Sequence, residues 1–263
     1  MRKFFAFVQS TWQLTLAYRG ESVVWLMLEL VPLAIMISFW NSLLISHRLD
    51  FNQFSQLTLY YFLSLIISRL TSVHFEDWII DEIKDGKIST YLLKPFSYQI
   101  YLLAHEVTWR LSNLVILIPI LIIFAVYLSK IVVPVIYLWQ IFLFILILFL
   151  AFIQRYFLGF MIGIFAFWFD QSKSLIHLKW MCEGIFGGAW LPLYFFPAWL
   201  QNFAQITPFY SWYYFPIQIL LKPDDNSNLL TGVLIAVFWT VFLWLASKLL
   251  WHKSLAKYSS VGN

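Results

Sequence analysis

Apolar positions fill six long blocks of the chain, at 22–44, 57–74, 100–128, 132–169, 174–196 and 229–251. At about 1.5 Å per residue such blocks approach or exceed the ~30 Å needed to cross a bilayer's hydrocarbon, the first giving about 34 Å. Polar stretches part them: 76–97, a short turn at Lys130, 171–173, and the run K-P-D-D-N-S-N at 222–228. The pattern predicts an all-α polytopic membrane protein with six transmembrane helices in one domain, 1–263. No internal repeat or low-complexity tract breaks it.

Two stretches depart from that rhythm. The 132–169 block is too long for one straight crossing and carries Gln154 and Arg155 near its middle. It reads either as one long tilted helix whose first turns lie in the outer interface, or as two short spans hinged at Arg155. Before the first block, Phe4, Val8, Trp12 and Leu16 recur every fourth residue, with Gln9, Gln13 and Arg19 mostly off the stripe. Residues 1–20 are therefore expected to form an amphipathic helix in the membrane interface rather than a cleavable signal, which would need an unbroken apolar stretch.

Composition sharpens the class. The chain is 62% hydrophobic and 11% charged, against roughly 25% charged in soluble domains. Aromatics reach 21%, with 14 Trp and 14 Tyr, side chains that favour the headgroup boundary. The net charge of +4 has a topological meaning rather than a nucleic-acid one. Of 17 basic residues, Arg48, Lys130 and Lys222 fall outside under a six-span layout with cytosolic termini, Arg155 falls within a span, and the other thirteen fall inside or at inner helix ends. This positive-inside bias favours the single long helix over 132–169 and a layout with both termini cytosolic. The lone Cys182 excludes an internal disulfide and reads as a packing residue.

Candidate chemistry is sparse. None of the nine glycines lies in a G-x-x-x-x-G-K-[ST] pattern, so the chain has no phosphate cradle of its own and is not expected to be an enzyme. His47, His74, His105, His177 and His252 are scattered without metal-ligand spacing. Ionisable residues within spans are costly and mark function. The candidates among them are Glu29, Arg69, Arg110, Arg155 and Glu183. Arg69 and Arg110 sit near inner helix ends, where they can snorkel. Glu29 and Glu183 are candidates for ion pairs at a helix or subunit interface. Arg155 either faces a polar pathway or pairs with Glu183.

The 76–97 segment differs from the rest. Glu76, Asp77, Asp81, Glu82 and Asp85 place five of the chain's 13 acids within ten residues, beside the apolar Trp78, Ile79 and Ile83. Gly86 offers a left-handed helix end, Ser89 or Thr90 a new start, and Lys94-Pro95 a bend. An exposed amphipathic helix between two spans suits contact with a cytosolic partner. The alternative, lying on the inner leaflet, conflicts with its acidity, because that surface is negative.

These motifs carry a resemblance. The stretch E-I-K-D-G-K-I-S-T-Y-L-L-K-P-F-S at 82–97 resembles the cytosolic segment of permeases of the bacterial ABC type-2 exporter family. G-G-A-W-L-P-L-Y-F-F-P-A-W-L-Q at 187–201 and I-T-P-F-Y-S-W-Y-Y-F-P at 206–216 resemble their fifth span and the outer re-entrant hairpin after it, here 197–218. F-A-F-W-F-D at 165–170 resembles the close of their fourth span. Arg155 is more polar than that family leads one to expect.

The resemblance implies a dimeric transporter, each permease half docking one of two ATPase subunits that carry ATP and Mg. The second permease is identical or related. A coupling helix would contain Trp78, Ile79, Asp81, Glu82, Ile83, Asp85 and Gly86, with the apolar three as anchors and the acids facing basic residues of the ATPase. Glu29, Arg155 and Glu183 would lie on the translocation path or an interface. An outer gate hairpin would use Pro192, Pro197, Trp199 and Pro208, unless those aromatics are an ordinary interfacial belt. Amphipathic, lipid-like, drug or saccharide substrates would all suit the aromatic, charge-poor spans. An ion-coupled secondary transporter or channel is the competing class. It would need ion-binding groups at mid-membrane or inverted repeats. A membrane-embedded enzyme comes third.

Overall fold

The computed structural model describes residues 19–94, 97–128, 131–222 and 229–257, and among them every regular element is helical. In chain order these are α1 (Arg19–Ile45), α2 (Phe51–Thr71), α3 (Glu76–Lys84), α4 (Ile88–Leu92), α5 (Tyr98–Leu128), α6 (Leu138–Ile164), α7 (Ser174–Phe186), α8 (Ala198–Gln205), α9 (Tyr214–Leu221) and α10 (Leu229–Lys257). The expected interfacial helix over 1–20 lies almost wholly outside the described residues. So does most of the 222–228 loop.

The helix α6 is the axis of the fold. It packs against α10, α3, α9 and α2, and against the 3₁₀ turn Pro208–Trp212. With its 3₁₀ extension to Phe167 it is 30 residues long and strongly apolar; α10 is 29 residues and also long and apolar enough to cross a membrane. A shorter apolar stretch, Leu30–Ile45, lies within α1. Large apolar side chains such as Met27, Ile35, Phe142, Phe149, Leu234 and Phe238 stand on the outside, while Gln154, Arg155, Glu106, Arg110, Lys179 and Glu76 are buried. That distribution is the reverse of a water-soluble protein's and suits lipid as the solvent.

Several helix limits differ from the sequence expectation. The helix α2 starts at 51 rather than 57, because Asp50 caps it: its carboxylate accepts the Gln53 N–H at 2.7 Å, and the Gln53 side chain accepts the Asp50 N–H at 3.2 Å. Within 132–169 the chain is non-helical as far as Tyr137, through Pro134, and then runs as one unbroken helix past Arg155; no hinge forms there. The fifth block changes most. Its helix, expected over 174–196, stops at Phe186 after 13 residues, about 20 Å. Gly187 and Gly188 end it, Gly188 at φ +75°, a value that L side chains rarely adopt.

Candidate functional site

The helix α3 is sorted cleanly by its spacing. Glu76, Ile79, Ile80 and Ile83 are buried; Asp77, Trp78, Asp81 and Asp85 are exposed. The buried side rests on α6 at Gly159 and Gly163. A methyl group at Gly159 would stand 2.9 Å from a Glu76 carboxylate oxygen, and one at Gly163 would stand 2.7 Å from Ile79 Cβ. The small-xxx-small step on α6 is thus what lets α3 seat so closely, as at close helix crossings in membranes. Sequence reading passed over it, although two glycines four apart within an apolar helix were there to be seen.

This seating corrects one expectation. Ile79 and Ile83 do not project outward as partner anchors; they are buried with Phe160, Tyr98 and Ile88. Trp78, 47% exposed, lies a quarter-turn away, its ring edge-on to His105 with centroids 4.4 Å apart. The outer face is acidic and partly paired within the chain. Lys173 reaches Asp81 at 2.8 Å and Asp77 at 3.8 Å. The hydrogen bond to Asp81, with the charges of both acids, holds the Lys173 ammonium above its ordinary range. Glu82 accepts the Tyr98 hydroxyl, and Asp85 pairs with Lys87 at 2.6 Å. Exposed pairs of this kind hold weakly, so the acids can exchange partners. Gly86, at φ +71°, ends α3 as its position in the sequence led us to expect. Ser89 and Thr90 lie inside α4 rather than before it, and their hydroxyls donate to the Gly86 and Lys87 carbonyls. Pro95 falls outside the described residues.

Beneath α3 lies a run of alternating charges, three of them buried and Glu183 partly so. Glu76 of α3 binds Lys179 of α7, whose ammonium also lies 3.9 Å from Glu183 one turn on. Glu183 in turn lies 3.4 Å from the guanidinium of Arg155, itself only 1% exposed. Arg155 also donates to the Ser72 hydroxyl at 2.7 Å, and its guanidinium lies over the rings of Tyr213 and Trp212 at 4.6 and 4.8 Å. Of the two alternatives for Arg155, the pairing with Glu183 is present as a 3.4 Å approach, beside the contact with Tyr213 of the cavity wall described below. A second pair, Arg110 with Glu106 at 2.8 Å, sits beside it. Arg110 donates to the carbonyls of Leu70, Thr71 and Ser72, covering the open C-terminal end of α2. Neighbouring Gln154 turns the other way: it donates to the Ala236 carbonyl of α10 and accepts from Ser211 and Trp212, each at 2.9 Å. Glu29 lies on α1, and its side chain is outside the described residues.

The opposite end, 187–221, is a chain of short pieces. Pro192 and Pro197 each precede a helical turn or helix, and Pro208 opens the 3₁₀ turn. Trp199 is 71% exposed. Between α1, α2 and residues 189–190 lies an open cavity of about 260 Å³. Its wall includes Leu33, Met36, Leu65 and Trp190, with Ser64, Ser68 and Tyr213 as polar points. Among the described residues no three His, Cys, Asp or Glu side chains are grouped to hold a metal ion.

An all-helical chain with an apolar exterior, an acidic helix held outside it and a charged interior has the build of a transporter's membrane component, and the sequence pattern of the ABC-2 family transporter protein matches residues 25–262. The chain belongs to the ABC-2 transporter family. No curated protein and no solved structure matched it. This ABC-2 protein is a transmembrane permease of an ABC transporter. Members of the family are membrane subunits rather than ATPases, and they normally work with an ATPase subunit.

Proposed function

We propose that the chain is the membrane half of an ATP-driven exporter in a bacterial plasma membrane, with α3 as the helix that receives the movement of a separate ATPase on the cytosolic side. The observation that carries this is the exposed acidic face of α3, bearing Trp78, on a helix pressed against the central α6 at Gly159 and Gly163. A helix mounted so closely passes a push to α6 as a rigid body. Trp78 is the remaining aromatic anchor, and Asp77, Asp81 and Asp85 supply charge for a basic groove. Two such chains, or this chain and a related one, each with its own ATPase copy holding ATP and Mg, complete the transporter.

The 187–221 segment then caps the far side. Its broken backbone is acceptable at membrane depth because it is packed within the protein. Trp212, Phe215 and Ile217 are buried there. An amphipathic, lipid-like, drug or saccharide substrate suits the mixed wall of the cavity between α1 and α2. Ion-coupled transport is less well supported, since the buried carboxylates Glu76 and Glu106 and the partly buried Glu183 all have cationic partners. Purification of the full chain in mild detergent tests the reading. An ATPase subunit should accompany the wild type and be lost from Trp78→Asp, while the permease itself stays in the membrane. Full retention of the ATPase by that variant would remove α3 from the role.

A further inference from the structure

Four side chains on three elements form the series Glu76, Lys179, Glu183, Arg155, with signs alternating minus, plus, minus, plus. Its first member belongs to α3, and Ile79 and Ile80 on the same helix are completely buried. Its last member touches Ser72, whose hydroxyl lies 3.2 Å from that of Ser68 in the cavity wall. Arg155 also lies over Tyr213, a second residue of that wall. Two contacts therefore tie one end of the series to the cavity, and one helix ties the other end to the exposed acidic face.

We infer that Lys179 and Arg155 are positioning residues in an electrostatic relay that makes the cavity between α1 and α2 change shape when α3 moves; this rests on the reading of α3 as the ATPase contact. The physics is that of paired charges out of water. A buried ion separated from its partner keeps its desolvation penalty and loses the attraction that offset it. Displacing α3 therefore drags Lys179 with Glu76, and Glu183 and Arg155 follow, because each member is held by the opposite charge of the one before it. Phe160 and Ile164 on α6 share an apolar cluster with Ile79 and Ile83 of α3 and so move with it, whereas the ion pairs carry the movement through Lys179 and Glu183 on α7 to Arg155. Arg155 has the reach to serve the last step: one end nitrogen holds Ser72 while the other faces Glu183.

The test uses the permease with its co-purified ATPase in nanodiscs of phosphatidylethanolamine and phosphatidylglycerol. Cys182, the one native cysteine, is replaced by serine, and Ser64→Cys places a thiol in the cavity wall. A maleimide dye reports access to that thiol with and without ATP and vanadate. In this background the labelling rate should change about fivefold or more on trapping, the lower end of ordinary coupling between sites. In Glu76→Gln with Lys179→Gln, which removes both charges of one link and strands neither, the change should disappear while the ATPase still assembles. Arg155→Lys keeps the charge but cannot hold Ser72 and Glu183 together, and should lose most of the change. It decides the matter if the double variant fails to assemble. An assembled variant of either kind that keeps the full change overturns the relay, as does a background protein whose labelling ignores the nucleotide. A background protein that brings down no ATPase overturns the reading of α3 instead, and the relay with it.

Discussion

The two ends of the molecule hold themselves together by different means. Around α3 the interior is ionic: Glu76, Lys179, Arg155, Glu106 and Arg110 are paired out of water, with Glu183 partly buried among them. Around 187–221, apart from Arg155 lying over Tyr213 and Trp212, the ties are neutral. Tyr60 donates to the Gly188 carbonyl at 2.7 Å, Tyr61 to the Trp190 carbonyl at 3.2 Å, and Trp239 to the Ile206 carbonyl at 2.8 Å. Trp40 stacks on Phe195 there, with centroids 5.3 Å apart. Buried ion pairs are costly to break, so elements joined by them move together. A neutral hydrogen bond is worth only about 1 kcal/mol net, so elements joined that way can rearrange. The molecule is thus stiffer around α3 and more adaptable around 187–221, which suits the proposed push at the first and the proposed path at the second.

The largest expected effect comes from breaking the ionic end. Lys179→Met leaves Glu76 buried with no cation bound to it and should cost about 3–5 kcal/mol. Thermal unfolding in detergent should show it. A variant that unfolds as wild type would mean that water already reaches the pair. Next comes the seat itself. Gly163→Leu drives a branched side chain into Ile79, where even a Cβ has no room. Overpacking of this kind costs about 1–3 kcal/mol. Hydrogen exchange should accelerate in α3 above all, and unchanged protection there would show that α3 does not depend on that crossing. At the neutral end, Tyr60→Phe removes one hydrogen bond to Gly188 and should cost about 1 kcal/mol. A loss as large as that of Lys179→Met would erase the contrast between the two ends.

Much of the stiff end could be read from the sequence, and the reasons are local. The helical spacing of 76–84, its glycine end at Gly86 and its cluster of acids are all set within a dozen residues. Which face turns inward was also encoded, though more finely: Ile79 and Ile83 are four apart and share a side, while Trp78 falls with Asp81 and Asp85. Grouping Trp78 with the two isoleucines overlooked that 100° step. The ion series was beyond reach, because Glu76 and Lys179 are 103 positions apart and only tertiary packing joins them. The early stop of α7 was missed because 174–196 reads as one apolar run, whereas Gly187 and Gly188 decide the backbone. Asp50 was a similar case, a cap hidden within what looked like a loop.

The smallest expected effect on stability also separates holding from signalling. Lys173 bridges Asp77 and Asp81 on the outer face of α3, and all three side chains are about half exposed. Removing an exposed ammonium leaves two carboxylates that water solvates well, so Lys173→Ala should leave the melting temperature unchanged. It does change the field that α3 presents. The face loses the cation that bridges Asp77 and Asp81 and becomes more negative, and long-range attraction to a basic partner grows with that charge. The ATPase should then associate faster with Lys173→Ala than with wild type at low ionic strength. The advantage should fade as added salt shortens the screening length to about 8 Å near physiological strength. Stopped-flow association at two salt concentrations measures this directly. A slower association at low salt would mean that the partner's surface is acidic and that Lys173, not the carboxylates around it, is what the partner meets.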